Sequence, residues 1–256
     1  MKLATWNVNS IRQREPHVRR WLERVQPDIL FLQEIKCEAP AFPAARFAEL
    51  GYRSAVVGQK AYNGVAVLSR LPFEVTATAL PGLPGDDAQA RYIEITVDGM
   101  TLIGIYLPNG NSGGEAGYAY KLVWMDRLRE RAAALLDADT PLAILGDFNV
   151  CPTDADFAPG ALPPTDALVR PETRAKFRAL VWLGLTDALR ALHPTGPTWT
   201  FWDYQAGAWP RDVGLRIDHA LLSPTLAERL TAAVSDRRER GEDQPSDHVP
   251  VLVEVD

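Results

Sequence analysis

Apolar residues in this chain recur mostly at every second position, in short blocks separated by turn-forming residues. Such blocks occupy residues 3–8, 29–33, 65–68, 92–97, 101–107, 142–145, 217–222 and 249–255, and a period of two marks a β-strand whose faces differ. Between some blocks the period lengthens. Residues 12–25 place Val18, Trp21, Leu22 and Val25 on one side of a helix, and residues 118–136 line up Leu122, Met125, Leu128, Ala132 and Leu135. Residues 173–192 predict two shorter helices with a break near Gly184. Short strands with helices spaced irregularly among them predict an α/β protein, two β-sheets packed face to face with helices outside. The Gly/Ser/Asn-rich stretch 109–117 and the Pro-rich stretch 159–171 are loop-sized rather than linkers, so a single domain over residues 1–256 is expected. The two halves also echo each other, as strand, helix, then a strand carrying an acid: LATWN…DILFLQE against LAILGDFN…RIDHALL.

Composition narrows the class. The chain has 256 residues, 46% hydrophobic and 23% charged, as soluble globular proteins do. No apolar run approaches the roughly 18 residues a membrane span needs, and MKLATWNVNS reads as a strand entering a loop rather than a signal peptide. Cys37 and Cys151 cannot build a disulfide framework, which points to the cytoplasm. Each follows a chemistry-bearing strand by a few residues, so the two thiols, read as free and buried, could be neighbours. The formal charge of −6 speaks against a purely electrostatic nucleic-acid binder. It leaves room for a metal-dependent phosphodiesterase, which clusters carboxylates for its ion while its binding face stays basic.

The candidate chemistry sits at strand ends. L-G-D-F-N places Asp147 and Asn149 two apart on one side of the chain, where they can activate and hold a water, although the same residues suit a turn. In L-Q-E, Glu34 ends a buried strand, where a carboxylate either pairs with Lys36, turns into a solvated loop or binds a hard cation. In S-D-H, His248 stands at a strand start. Adjacent strand residues face opposite ways, so Asp247 is a poor partner for it, and Asp218 in R-I-D-H is the candidate orienting acid. T-W-N-V-N ends a strand with Asn7 and Asn9 on one face, and G-I-Y-L-P-N ends another with Tyr106 and Asn109. Singly each fits an ordinary strand end. Jointly they describe one site built across a sheet sandwich.

The segments W-N-V-N-S, L-Q-E-I-K-C, N-G-V-A-V-L-S, Y-L-P-N-G, L-G-D-F-N, T-F-W-D-Y, G-L-R-I-D-H-A-L-L-S and S-D-H-V-P-V run in order from residue 5 to residue 251. Together they resemble the endonuclease/exonuclease/phosphatase superfamily, and within it the exonuclease III family of abasic-site DNA repair endonucleases. The resemblance implies a four-layer α/β sandwich and a Mg²⁺-dependent phosphodiesterase, with Mn²⁺ as a substitute ion. Its substrate would be double-stranded DNA with abasic sites or blocked 3′ ends, and the protein would act as a monomer away from membranes. Glu34 would be the main metal ligand, with Asp247 and Asn9 beside it. Asp147 would activate the water and Asn7 would orient Asp147. Asn149 and Tyr106 would hold the scissile phosphate, and His248, backed by Asp218, would donate to it. Lys36 and Asn109 would touch DNA phosphates. Phe201, Leu215 and Ile217 would form an apolar pocket for a base-less sugar, and Trp209 would stack on DNA while Trp199 and Trp202 pack the core. A basic rim is expected from Arg12, Lys36, Lys60, Arg91, Lys121, Arg211 and Arg216. Residues 151–171, the arginine-free stretch 112–119 and His219 depart from the family pattern, which bears on the balance of endonuclease, exonuclease and 3′-phosphatase activities. The other readings are a phosphoesterase acting on a non-DNA ester and a non-catalytic nucleic-acid-binding relative.

Overall fold

The alternating blocks become the interior strands of two sheets. The computed structural model describes residues 1–84, 87 and 89–256. Its strands are β1 (Lys2–Asn7), β2 (Ile29–Gln33), β3 (Arg53–Val57), β4 (Val65–Ser69), β5 (Glu74–Ala77), β6 (Tyr92–Val97), β7 (Met100–Tyr106), β8 (Leu142–Asp147), β9 (Thr186–Asp187), β10 (Asp218–Leu222), β11 (Leu230–Ser235) and β12 (Val251–Val255). Its helices are α1 (Ile11–Val25), α2 (Ala44–Ala48), α3 (Gly114–Asp137), α4 (Pro171–Val181), α5 (Ala188–Leu192) and α6 (Pro224–Ala227). Among the described residues, one sheet runs β11-β12-β1-β2-β4-β3 and the other β5-β6-β7-β8-β10-β9. The strands that the apolar pattern did not announce, β3, β5, β9 and β11, are the four sheet edges. An edge strand buries fewer side chains, so its sequence need not alternate; β5 is exposed along most of its length.

Four layers result. The inner sheet faces meet through Leu3, Phe31 and Val67 on one side and Ile95, Leu102 and Leu145 on the other. At Gly104 a β-carbon would stand 2.2 Å from the Phe31 ring, so glycine sets how closely the sheets approach there. On the outside, α1 lays Ile11, Val18, Trp21 and Leu22 against Trp6, Leu30 and Leu32, while α3 and α4 cover the second sheet through Trp124, Leu128 and Phe177. This is the expected α/β sandwich.

The internal echo is real but paired differently from the sequence expectation. Parallel β1–β2 joined by α1 has the same neighbours and directions as parallel β7–β8 joined by α3. The counterpart of β1–β2 is therefore β7–β8, not β8–β10. The consequence is functional. Both central parallel pairs deliver their C-terminal ends, Asn7 and Gln33 in one sheet, Tyr106 and Asp147 in the other, to a common edge of the sandwich.

Candidate active site

Asn7 ties the two sheets together. From the end of β1, its Nδ2 donates to Glu34 Oε1 at 2.9 Å and to Asp147 Oδ2 at 3.0 Å. Its Oδ1 accepts from the Asn9 amide at 3.0 Å, which fixes which way the carboxamide faces. Asp147 is 1% exposed, and its Oδ1 accepts from the Asn149 amide at 2.9 Å. Only glycine lets β8 bring it there: a β-carbon at Gly146 would lie 2.1 Å from the Ile105 carbonyl oxygen. Burial pushes the Asp147 pKa up to about 7, with the Asp218 charge adding to it and His248 and Asn7 opposing. A carboxylate with that poise can take a proton from water near neutral pH.

His248 Nδ1 lies 2.8 Å from Asp218 Oδ2, and its Nε2 lies 3.8 Å from Asp147 Oδ2. The orienting acid is thus Asp218 rather than the adjacent Asp247. Asp218 is in turn seated by Thr200, whose Oγ1 accepts from the Ile217 and Asp218 amides at 3.1 Å each. Burial alone would lower the His248 pKa, but Asp218 and Asp147 raise it to about 10, so the ring is an imidazolium donor. Tyr106 faces Glu34 and Asp147; burial and those two negative charges raise its pKa well above the ordinary value, so it remains a phenol that donates. Arg91 covers its ring at 4.7 Å. The Asn149 carboxamide donates to the Leu107 carbonyl at 2.8 Å and accepts from Asn109 Nδ2 at 2.9 Å.

Glu34, Asp147 and His248 offer ligand atoms within 4.8 Å of one another, enough to hold a metal ion. A protonated imidazole cannot ligate, however, so the oxygens on the Glu34 side are the better donors for a hard cation. They already surround one: Lys36 Nζ lies 2.9 Å from Glu34 Oε2 and bonds Asn9 Oδ1, and Asn9 Nδ2 reaches Asp247 Oδ1 at 3.1 Å. Burial would raise the Glu34 pKa, but Lys36 and Asn7 hold it below the usual carboxylate value. Asn9, Ser10, Glu34, Lys36, Asn63 and Asn149 all adopt positive φ. Such conformations are costly for residues other than glycine, and these six sit in the loops around one cluster.

Several expectations need correction. Lys121 and Arg216 are not rim residues: they are 0% and 1% exposed. Lys121 bonds the carbonyls of Asn109, Asn149 and Ala167, and Arg216 is held by Asp156 and Asp187. Of the other five, Arg12, Lys60 and Arg211 are exposed and Lys36 and Arg91 half-buried. Phe201 and Leu215 do line a cavity of about 330 Å³, with the Phe201 ring 4.9 Å from that of His248, but Ile217 packs behind it and is no part of its wall. Trp209 does not stand free for stacking: it is half-buried, 4.9 Å edge-on to Trp202, with Arg237 and Arg240 on its ring. The exposed aromatic of that loop is Tyr204. Trp199 and Trp202 are core residues. Cys37 and Cys151 are free and buried but belong to separate apolar clusters. Arg14, which the sequence pattern did not single out, bonds the Asn9 carbonyl, Tyr204 and the Pro245 carbonyl, clamping the loops around Asn9 and Asp247. A lone arginine on a helix face carries no signal of that role.

Comparison with known proteins agrees with this geometry. The model of the endonuclease/exonuclease/phosphatase family matches residues 4–248. Exodeoxyribonuclease III of Haemophilus influenzae is 33% identical over 99% of both chains, and the DNA repair nuclease APEX1 of Danio rerio is 32% identical over 99% of this chain and 81% of that protein. Among solved structures, a Neisseria 3′ phosphatase, NExo, bound to a product DNA hairpin is 41% identical with a TM-score of 0.94, covering 100% of this chain and 99% of its own. An AP endonuclease from Archaeoglobus fulgidus is 36% identical with a TM-score of 0.94 over the same shares. A family match over nearly the whole chain, full-length sequence identity and a shared fold lead to one conclusion: the chain is a nuclease of the endonuclease/exonuclease/phosphatase family, in its exonuclease III branch.

Proposed function

We propose that the protein is a Mg²⁺-dependent DNA repair phosphodiesterase of the cytoplasm, acting as a monomer. It cleaves duplex DNA 5′ to abasic sites, and it also processes 3′ ends as an exonuclease and 3′-phosphatase. The observation that carries this reading is the convergence of Asp147, tethered by Asn7, with the Asp218-backed imidazolium of His248. A proton acceptor and a fixed cationic donor under 4 Å apart are what in-line attack on a phosphodiester requires. Asp147 takes the proton of the attacking water, Asn7 keeps its carboxylate aimed, and His248, Tyr106 and Asn149 donate to the phosphate oxygens. The water oxygen bonds to phosphorus as the P–O3′ bond breaks, and the leaving 3′ oxygen takes up a proton from solvent. A magnesium ion held by Glu34, with Asp247 and Asn9 beside it, would polarise the phosphate; Lys36 would then turn toward the DNA backbone. Phe201 and Leu215 supply the apolar wall against which a base-less sugar fits, and Asn109 stands ready for a neighbouring phosphate.

The test is a cleavage assay on three duplexes: one with a single abasic analogue, one with a blunt end and one with a 3′-phosphate. Nicking 5′ to the analogue, dependent on Mg²⁺ and sharply more demanding of Mg²⁺ in Glu34→Gln, is expected. Release of 3′-phosphate without nicking would confine the function to 3′ ends. No action on any duplex would point to another phosphate ester.

A further inference from the structure

Two buried side chains that the chemistry above does not use converge on the loop carrying Asn149. Lys121 projects from α3 and is 0% exposed, and among the described residues its hydrogen-bond partners are carbonyl oxygens rather than carboxylates. Its Nζ lies 2.6 Å from the Asn149 carbonyl oxygen, 2.9 Å from that of Asn109 and 3.3 Å from that of Ala167. Burial pushes its pKa down to about 7 against the pull of Asp147 and Asp166, so holding an ammonium there costs free energy that the three carbonyls offset. On the other side His219, also 0% exposed, lies with Nε2 2.9 Å from the Val150 carbonyl oxygen. Its Nδ1 lies 2.9 Å from Arg216 Nη1, and an arginine can only donate. That leaves the proton on Nε2, aimed at Val150. Arg216 is itself fixed by Asp156 at 2.7 Å and Asp187 at 2.6 Å, and the His219 ring is wedged between Phe148 and Phe177.

Asn149 needs such support. It holds φ at 49°, and its side chain is aimed through bonds to Leu107 and Asn109, the latter on a loop that Lys121 also grips. We infer that Lys121 and His219 are positioning residues for Asn149, pinning the consecutive carbonyls of Asn149 and Val150 so that the carboxamide presents itself to the scissile phosphate. This rests on the reading of Asn149 as a phosphate-contacting residue. A displacement of about 1 Å at a reacting centre can cost on the order of 100-fold in rate.

A double-mutant cycle in the full-length enzyme with Mg²⁺ separates this role from simple scaffolding. Lys121→Met is expected to lower kcat about 10–100-fold with KM changed less than about threefold. Lys121→Arg, which keeps buried donors, should recover most of the rate. His219→Phe, which keeps the ring packing, should lose about tenfold and His219→Gln should lose less. In an Asn149→Ala background the Lys121 and His219 changes should cost almost nothing more. In ¹⁵N spectra the Asn149 side-chain amide, assigned by its loss in Asn149→Ala, should shift in Lys121→Met while signals of the first sheet stay in place. Losses that multiply with Asn149→Ala overturn the proposal, as does an unmoved Asn149 amide. If Asn149→Ala alone loses less than about threefold, the phosphate-contact reading of Asn149 falls and the positioning role falls with it. If Lys121→Met does not fold, the His219 pair and the spectrum of Lys121→Arg decide the matter alone.

Discussion

Two buried charge clusters lie back to back on β10, and they settle their charges in opposite ways. Asp218 faces the catalytic cluster, where it, Glu34 and Asp147 meet His248, and Asp147 is left with a pKa raised to about 7 by burial and by Asp218. His219, its neighbour in sequence, faces the other side of the sheet. There Asp156 and Asp187 share the Arg216 guanidinium, and Arg190 adds a second bond to Asp156. Burial would raise both carboxyls, yet Arg216 holds Asp156 down to about 2 and Asp187 lower still. Burial is similar and the outcome opposite, because planar, multidentate arginine satisfies carboxylates that a single imidazole leaves partly unanswered. One carboxylate oxygen of Asp218 has no hydrogen-bond partner among the described residues. The strained cluster is the one to which we assign the chemistry; the settled one holds the 151–171 loop and, through His219, the backbone next to Asn149.

The largest expected effect is Asp147→Asn. It should cost at least 10²–10⁴-fold in kcat with little change in DNA affinity, since the carboxylate works on the reacting water. A loss under about tenfold would place the base elsewhere.

On the settled side, Arg216→Met should destabilise the protein by about 3–5 kcal/mol, because two buried carboxylates lose their common partner. Urea unfolding measures it. A change below about 1 kcal/mol would show that the two clusters are less different than their geometry.

The pH dependence of metal-free stability should have two limbs of opposite sign. Asp156 and Asp187 have depressed pKa values, so their contribution is complete above the unfolded carboxylate range and is lost as pH falls toward 2. Asp147 and His248 are raised, to about 7 and about 10, so the native state binds more protons there and stability declines as pH climbs from about 4 toward 10. Arg216→Met should flatten the acid limb, and Asp147→Asn the lower part of the alkaline one. A single rising curve from pH 3 to pH 9 would contradict the strained state of the catalytic cluster.

The smallest effect separates both buried clusters from the rim. Duplex binding in Ca²⁺ over a salt series should give a slope of log K near −4 to −5 for four to six phosphate contacts, at about 0.9 each. Arg91→Ala or Lys60→Ala should each reduce the slope by about one unit, while Arg216→Met should leave it unchanged.

Much of this was legible in the chain itself. The interior strands, the helices flanking them and the strand-end positions of Glu34, Asp147, Asp218 and His248 follow from apolar period and from where polar residues interrupt it. Even the partnership of His248 with Asp218 could be argued, because alternation along a strand forbids Asp247. Other features came only from the tertiary structure. Arg216 and Lys121 look like surface cations in the sequence, since arginine and lysine are rarely buried. Their burial depends on partners 29 and 60 residues away for Arg216 and on three carbonyls from separate loops for Lys121. The edge strands escaped notice because they bury too little of either face to impose alternation, and the half-to-half repeat was mispaired because it lies in strand order and direction rather than in residue pattern. Local period decides which segments are strands and which way their side chains face. Which charges become neighbours, and whether they end paired or strained, depends on contacts between distant segments, and those exist only once the sheets have packed.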